Sequence, residues 1–97
     1  MIFELGGIKG TMARLHAFVY GAVQGVFFRA FVQQTAIKLK LTGWVKNCDD
    51  GSVEIVADGS KIVLEGLLEA LEKGPATAKV DHVDVKWEKE SKEFRAE

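Results

Sequence analysis

A chain of 97 residues suffices for one compact core and is too short for two, since smaller units bury too little of their unfolded surface to hold together. Its 47% hydrophobic and 28% charged residues exclude disorder for the bulk of it. A net charge of -1 excludes a general attraction to nucleic acid or anionic lipid, so any anion site has to be local.

Met1 to Thr11 carries three glycines and no clear period, and is expected to be a peripheral arm over 1–11, or a start upstream of the natural one. The remaining residues, 12–97, are expected to form a single domain. From Arg14 to Tyr20 the residues are aromatic, aliphatic or β-branched apart from Arg14 and His16, which predicts a buried strand ending at Gly21. Phe28, Phe31, Val32, Ala36 and Leu39 recur at spacings of three and four, which predicts a helix ending near Lys40.

Two short strand-like runs follow, Gly43 to Asn47 and Ser52 to Ala57, joined by Cys48-Asp49-Asp50-Gly51. The Asp-Gly pair favours a tight antiparallel hairpin. Ser60 can cap a second helix whose stripe is Val63, Leu64, Leu67, Leu68 and Leu71, and Gly74-Pro75 ends it. Val83, Val85 and Trp87 then alternate with His82, Asp84 and Lys86, which predicts a strand buried on one face. Residues near Phe94 offer a short fifth strand at an edge.

The order βαββαβ is that of an α+β split-βαβ sandwich: a four-stranded antiparallel sheet with both helices on one face. This arrangement hosts enzymes, metal carriers and RNA binders alike, so function has to be argued from the site. The lone cysteine, Cys48, cannot form an intrachain disulfide and suits a reducing compartment, the cytoplasm by default. No apolar run is long enough for a membrane span, and no secretory leader is read at the amino terminus.

The segment with most chemical content is Gly21-Ala22-Val23-Gln24-Gly25-Val26-Phe27-Phe28-Arg29, where a strand hands over to a helix. Free backbone N–H groups and the positive end of a helix meet there, and glycines let successive N–H groups turn inward around a tetrahedral anion. Arg29 adds a planar fork of donors matched to two phosphate oxygens. A plain turn followed by a solvated arginine would have the same composition. Neither GxGxxG nor a Gly-Lys-Ser/Thr triplet is present, which disfavours a nucleotide. Asn47, the only asparagine, closes a strand beside the hairpin turn, where the residue type is commonly a local hydrogen-bonding group. His16, Cys48 and His82 have no ligand-like spacing, so no metal is expected.

Taken together, the two segments resemble the acylphosphatases. Gly21 to Arg29 is similar to that family's Gly-x-Val-Gln-Gly-Val-x-Phe-Arg signature, and Gly43 to Gly59 to its second, Gly-Trp-Val-x-Asn-x-x-x-Gly-x-Val, signature. The likeness runs from about Arg14 to Phe94. It implies a ferredoxin-like fold and a hydrolase that cleaves acyl phosphates to carboxylate and inorganic phosphate. Carried over, phosphoryl binding falls on Ala22, Val23, Gln24, Gly25, Val26, Phe27, Phe28 and Arg29, with Arg29 as the clamp and Asn47 orienting the attacking water. Both signatures match at every defining position, and the carry-over is weakest at Phe27, an open position where many relatives have glycine. The implied ligands are a small acyl phosphate, with inorganic phosphate or sulfate in the same site, bound by a monomer. Two other readings stay open: a non-catalytic phosphate- or carbamoyl-phosphate-binding module of the same family, and an RNA-binding domain of the same topology. The latter is disfavoured because the strands lack a basic-aromatic pattern.

Overall fold

The computed structural model describes residues 1–3 and 12–89. Its elements are β1 (Ile2–Phe3), β2 (Met12–Ala22), α1 (Phe28–Lys38), β3 (Thr42–Asn47), β4 (Val53–Ser60), α2 (Lys61–Lys73) and β5 (Lys79–Lys89). The strands form one antiparallel sheet in the order β1-β3-β4-β2-β5. Without β1, this is the ferredoxin-like order expected from the βαββαβ pattern.

The alternation along β2 places Leu15, Ala17 and Val19 in the core, with Val45 of β3 and Val53, Ile55 and Ala57 of β4 beside them. Both helices close over that face. α1 contributes Phe28, Val32 and Ala36, and α2 contributes Leu64, Leu67 and Leu71. Only this face of β2 is fully buried. His16, Phe18 and Tyr20 are half-buried on the other, where Arg14 makes a bidentate pair with Asp58 at 2.7 and 2.8 Å.

α2 starts where Ser60 Oγ accepts the Val63 N–H, and it ends at Gly74 with φ 70°. α1 ends through Lys40 at φ 61°, with Leu41 N–H donating to Ala36 O, a closing geometry more often taken by glycine. Among the described residues β5 is an edge strand, and its inward row is only partly covered: Val83 and Trp87 are half-buried and Val85 is 37% exposed.

The fifth strand is β1. Ile2 and Phe3 pair with Trp44 and Gly43, and Phe3, at 2% exposure, sits in the main core. Residues 1–3, the described part of the segment expected to lie at the periphery, thus supply a sheet edge and a core side chain. The edge strand expected near Phe94 lies outside the described residues.

Candidate functional site

Gly21 is the penultimate residue of β2, just before the loop. A Cβ there would fall 2.2 Å from Lys79 O, so only glycine lets β5 approach at the register shift between Tyr20 and Gly21. Gly25 turns the chain with φ 74°. Phe27, the N-cap of α1, is left-handed at φ 63°, ψ 19°, which costs a non-glycine residue about 1–2 kcal/mol. Its side chain cannot cap the helix, and the first intrahelical bond is Phe31 N–H to Phe27 O at 3.0 Å. Helix geometry therefore leaves the N–H groups of Phe28, Arg29 and Ala30 at the positive end of an 11-residue helix without helical acceptors.

These groups border a cleft of about 330 Å³ lined by Met1, Val23, Gly25, Phe27, Phe28, Arg29, Ala30 and Asn47. The cleft brings the first-turn arginine and the terminal residue of β3 together, from two motifs well apart in the chain. Val23 and Phe28 are anchored in the core, which fixes the backbone between them. Arg29 and Asn47 are both exposed, and among the described residues neither side chain has a hydrogen bond or an ion pair. Each is thus free to engage a ligand.

Three of the loop residues singled out in the sequence do not line the cleft. Ala22 ends β2 and pairs with Lys79. Val26 is tied down by its carbonyl, which accepts from Thr77 Oγ1 at 2.9 Å. Gln24 turns its side chain to the β3–β4 hairpin, and its Nε2 donates to Cys48 O and Ser52 O, both at 2.8 Å. That amide couples the loop to the hairpin holding Asn47. Sequence reasoning missed this role, together with the cleft contributions of Met1 and Ala30 and the brace from Thr77.

The hairpin turn is held by Asp50. Its Oδ1 accepts the Ser52 Oγ–H at 2.6 Å and the Ser52 N–H at 2.9 Å. These bonds, the hydroxyl's first, keep the Asp50 carboxyl below the usual carboxylate range. Asp50 is therefore committed to the turn as an anion and is a poor proton acceptor. Among the described residues, no three His, Cys, Asp or Glu gather as a metal site, and no helix is long and apolar enough to cross a membrane.

Comparison with known proteins agrees with this architecture. The Acylphosphatase family profile matches residues 15–96. The acylphosphatase of Salinibacter ruber is 50% identical over 78 residues, covering 80% of this chain and 82% of that protein. The crystal structure of acylphosphatase from Bacillus subtilis superposes with a TM-score of 0.80 at 43% identity, over 84% of this chain and 91% of that one. Full-length HypF, in a phosphate- and nucleotide-bound form, matches 93% of this chain with a TM-score of 0.79 and 28% identity, but the match spans only 12% of HypF.

Proposed function

This chain belongs to the acylphosphatase family, and from that premise we propose that its cleft hydrolyses the carboxyl–phosphate bond of small acyl phosphates. The observation that carries the reading is the meeting of Arg29 and Asn47 at the amino end of α1. The phosphoryl group is held by loop and helix N–H groups and by the Arg29 guanidinium. Phosphoryl transfer spreads negative charge over the equatorial oxygens, and fixed donors there supply both positioning and charge stabilisation.

Asn47 accepts one hydrogen bond from water and donates another, which sets the line of attack. The water oxygen bonds to phosphorus, and the bond from phosphorus to the acyl oxygen breaks. The carboxylate leaves with the electron pair, and as a weak base it needs no protonation. An amide is too weak a base to keep the water's proton, and Asp50 is occupied by Ser52, so the proton passes to a phosphoryl oxygen.

The protein acts as a monomer in the cytoplasm, a compartment suited to the single thiol of Cys48, and takes inorganic phosphate or sulfate as a ligand of the same cleft. Hydrolysis of benzoyl phosphate and acetyl phosphate without added metal tests the reading. The likeness to a short part of HypF supports a second reading, an anion-binding module without turnover. Phosphate binding with no hydrolysis of either substrate would select it.

A further inference from the structure

We propose that Phe27, with Met1 beside it, forms the subsite for the acyl group and makes this protein prefer aromatic acyl phosphates over acetyl phosphate. The inference rests on the reading of the cleft as a phosphoryl site and specifies the other half of the substrate.

Phe27 bears two costs that glycine would remove. Its backbone is held at φ 63°, a region disfavoured for side-chain-bearing residues, and its ring is 82% exposed although it packs nothing into the core. Strain of this kind concentrates where a side chain is used for binding. The ring nevertheless lines the cleft, and its exposure puts it at the mouth, above a floor whose Val23 and Phe28 are buried.

Met1 lines the same cleft and is 46% exposed. Its backbone is fixed to β3, with Met1 N donating to Val45 O at 3.0 Å and Val45 N–H donating to Met1 O at 2.9 Å. A flexible thioether and a phenyl ring therefore flank the exit from the phosphoryl pocket. A substrate whose phosphoryl group sits on the N–H groups has to run its acyl group out past them. Methyl is too small to cover either side chain. A flat aromatic acyl group stacks on Phe27 and contacts the methionine sulfur, gaining apolar burial at both faces.

The test uses two non-hydrolysable ligands, benzylphosphonate and methylphosphonate, titrated calorimetrically into the full chain. Wild-type protein is expected to bind benzylphosphonate about tenfold tighter, as partial burial of one ring supplies. In Phe27→Gly and Phe27→Asn, which both tolerate the left-handed backbone, the ratio is expected to fall to about twofold or less. A wild-type ratio near one overturns the proposal. So does a ratio unchanged in both variants, because a residue that only shapes the backbone moves both affinities together. Turnover of benzoyl phosphate by the wild type reports separately on the enzymatic reading, since the affinity ratio does not depend on catalysis. Wild-type protein that binds neither phosphonate overturns the subsite, and only the absence of benzoyl phosphate turnover as well removes the enzymatic reading.

Discussion

Gln24 offers the sharpest test of how the two halves of the site are held in register. Its Nε2 spans the gap between the phosphate loop and the hairpin with two bonds of 2.8 Å, to Cys48 O and Ser52 O. The amide's orientation follows from its partners, since both are carbonyl oxygens that only accept. In Gln24→Ala both bonds vanish, yet neither carbonyl is orphaned: Cys48 O keeps Gly51 N–H at 3.1 Å and Ser52 O keeps Cys48 N–H at 2.8 Å. The turn should survive, and the stability loss should be that of two ordinary hydrogen bonds, about 1–3 kcal/mol. For a domain of this size that lowers the melting midpoint by roughly 5–15 °C.

The loss of turnover should be larger than stability alone suggests. Arg29 and the loop would still grip the phosphoryl group, but the hairpin carrying Asn47 would be free to drift, and a misplacement of about 1 Å costs on the order of a hundredfold. The assay is initial-rate hydrolysis of benzoyl phosphate well below the variant's melting range, with competitive inhibition by phosphate measured alongside. The expected result is a kcat lower by about 30- to 100-fold with phosphate inhibition changed less than about threefold. A kcat within threefold of wild type refutes the coupling role. A phosphate affinity that falls in step with kcat refutes it too, because Gln24 would then be shaping the loop itself. Gln24→Glu sharpens the sign. Its carboxylate would face two acceptors at neutral pH, so activity should recover toward acid pH as the new group gains a proton to donate.

Arg29→Ala should lose about three to five powers of ten in turnover, as other arginines stabilising phosphoryl transfer do, and near-normal benzoyl phosphate hydrolysis by that variant would remove it from the site. Asn47→Ala should keep phosphate affinity in an inhibition assay while kcat collapses, whereas loss of phosphate binding would make Asn47 a ligand contact. Asp50 titrates below its unfolded value, so its contribution to stability is present above the unfolded pKa and is lost as pH falls through the lower folded one. Asp50→Asn should therefore flatten the acid limb of a stability–pH profile while leaving turnover near neutral pH within a fewfold of wild type. An acid limb steeper in the variant, or a turnover pH profile that loses a carboxylate inflection, would reverse that assignment.

Much of the fold was legible because its signals are local. The stripe of α2 lies between Ser60 and Gly74-Pro75, and the Asp-Gly turn announces its hairpin within a few residues. β1 had no such signature. Two residues show no period, and Phe3 finds its place only through pairing with Gly43 and Trp44, far along the chain. The edge position of β5 was equally hidden: Val83, Val85 and Trp87 alternate as a buried row does, but among the described residues no strand lies on its other side.

At the site, Arg29 and Asn47 were readable from motifs, and Phe27 stood out as a bulky residue at a position where many relatives have glycine. What Phe27 costs became clear only from its backbone angle. The resemblance puts Gln24 in a loop that grips phosphate through its N–H groups, and its side chain, not needed for that grip, turns to the hairpin. Its acceptors are main-chain carbonyls, which any residue type supplies, so the partner positions leave no trace in composition. The same holds for Thr77 and Val26 O, and for Met1, whose bonds to Val45 are purely backbone.

β1 also governs how this protein meets other copies of itself. An open edge of β3 would display the backbone of Thr42-Gly43-Trp44-Val45, a short, uncharged, apolar run of the kind that recruits further strands. Met1 to Phe3 occupy that edge, and Phe3 fastens the cover by burying its ring. The opposite edge, β5, is guarded by composition instead, with Lys79, Asp81, Asp84, Lys86, Glu88 and Lys89 along it. One side of the sheet is thus covered by a strand and the other lined with charge, and loss of the amino-terminal residues would uncover an edge whose one charged residue, Lys46, stands near its end.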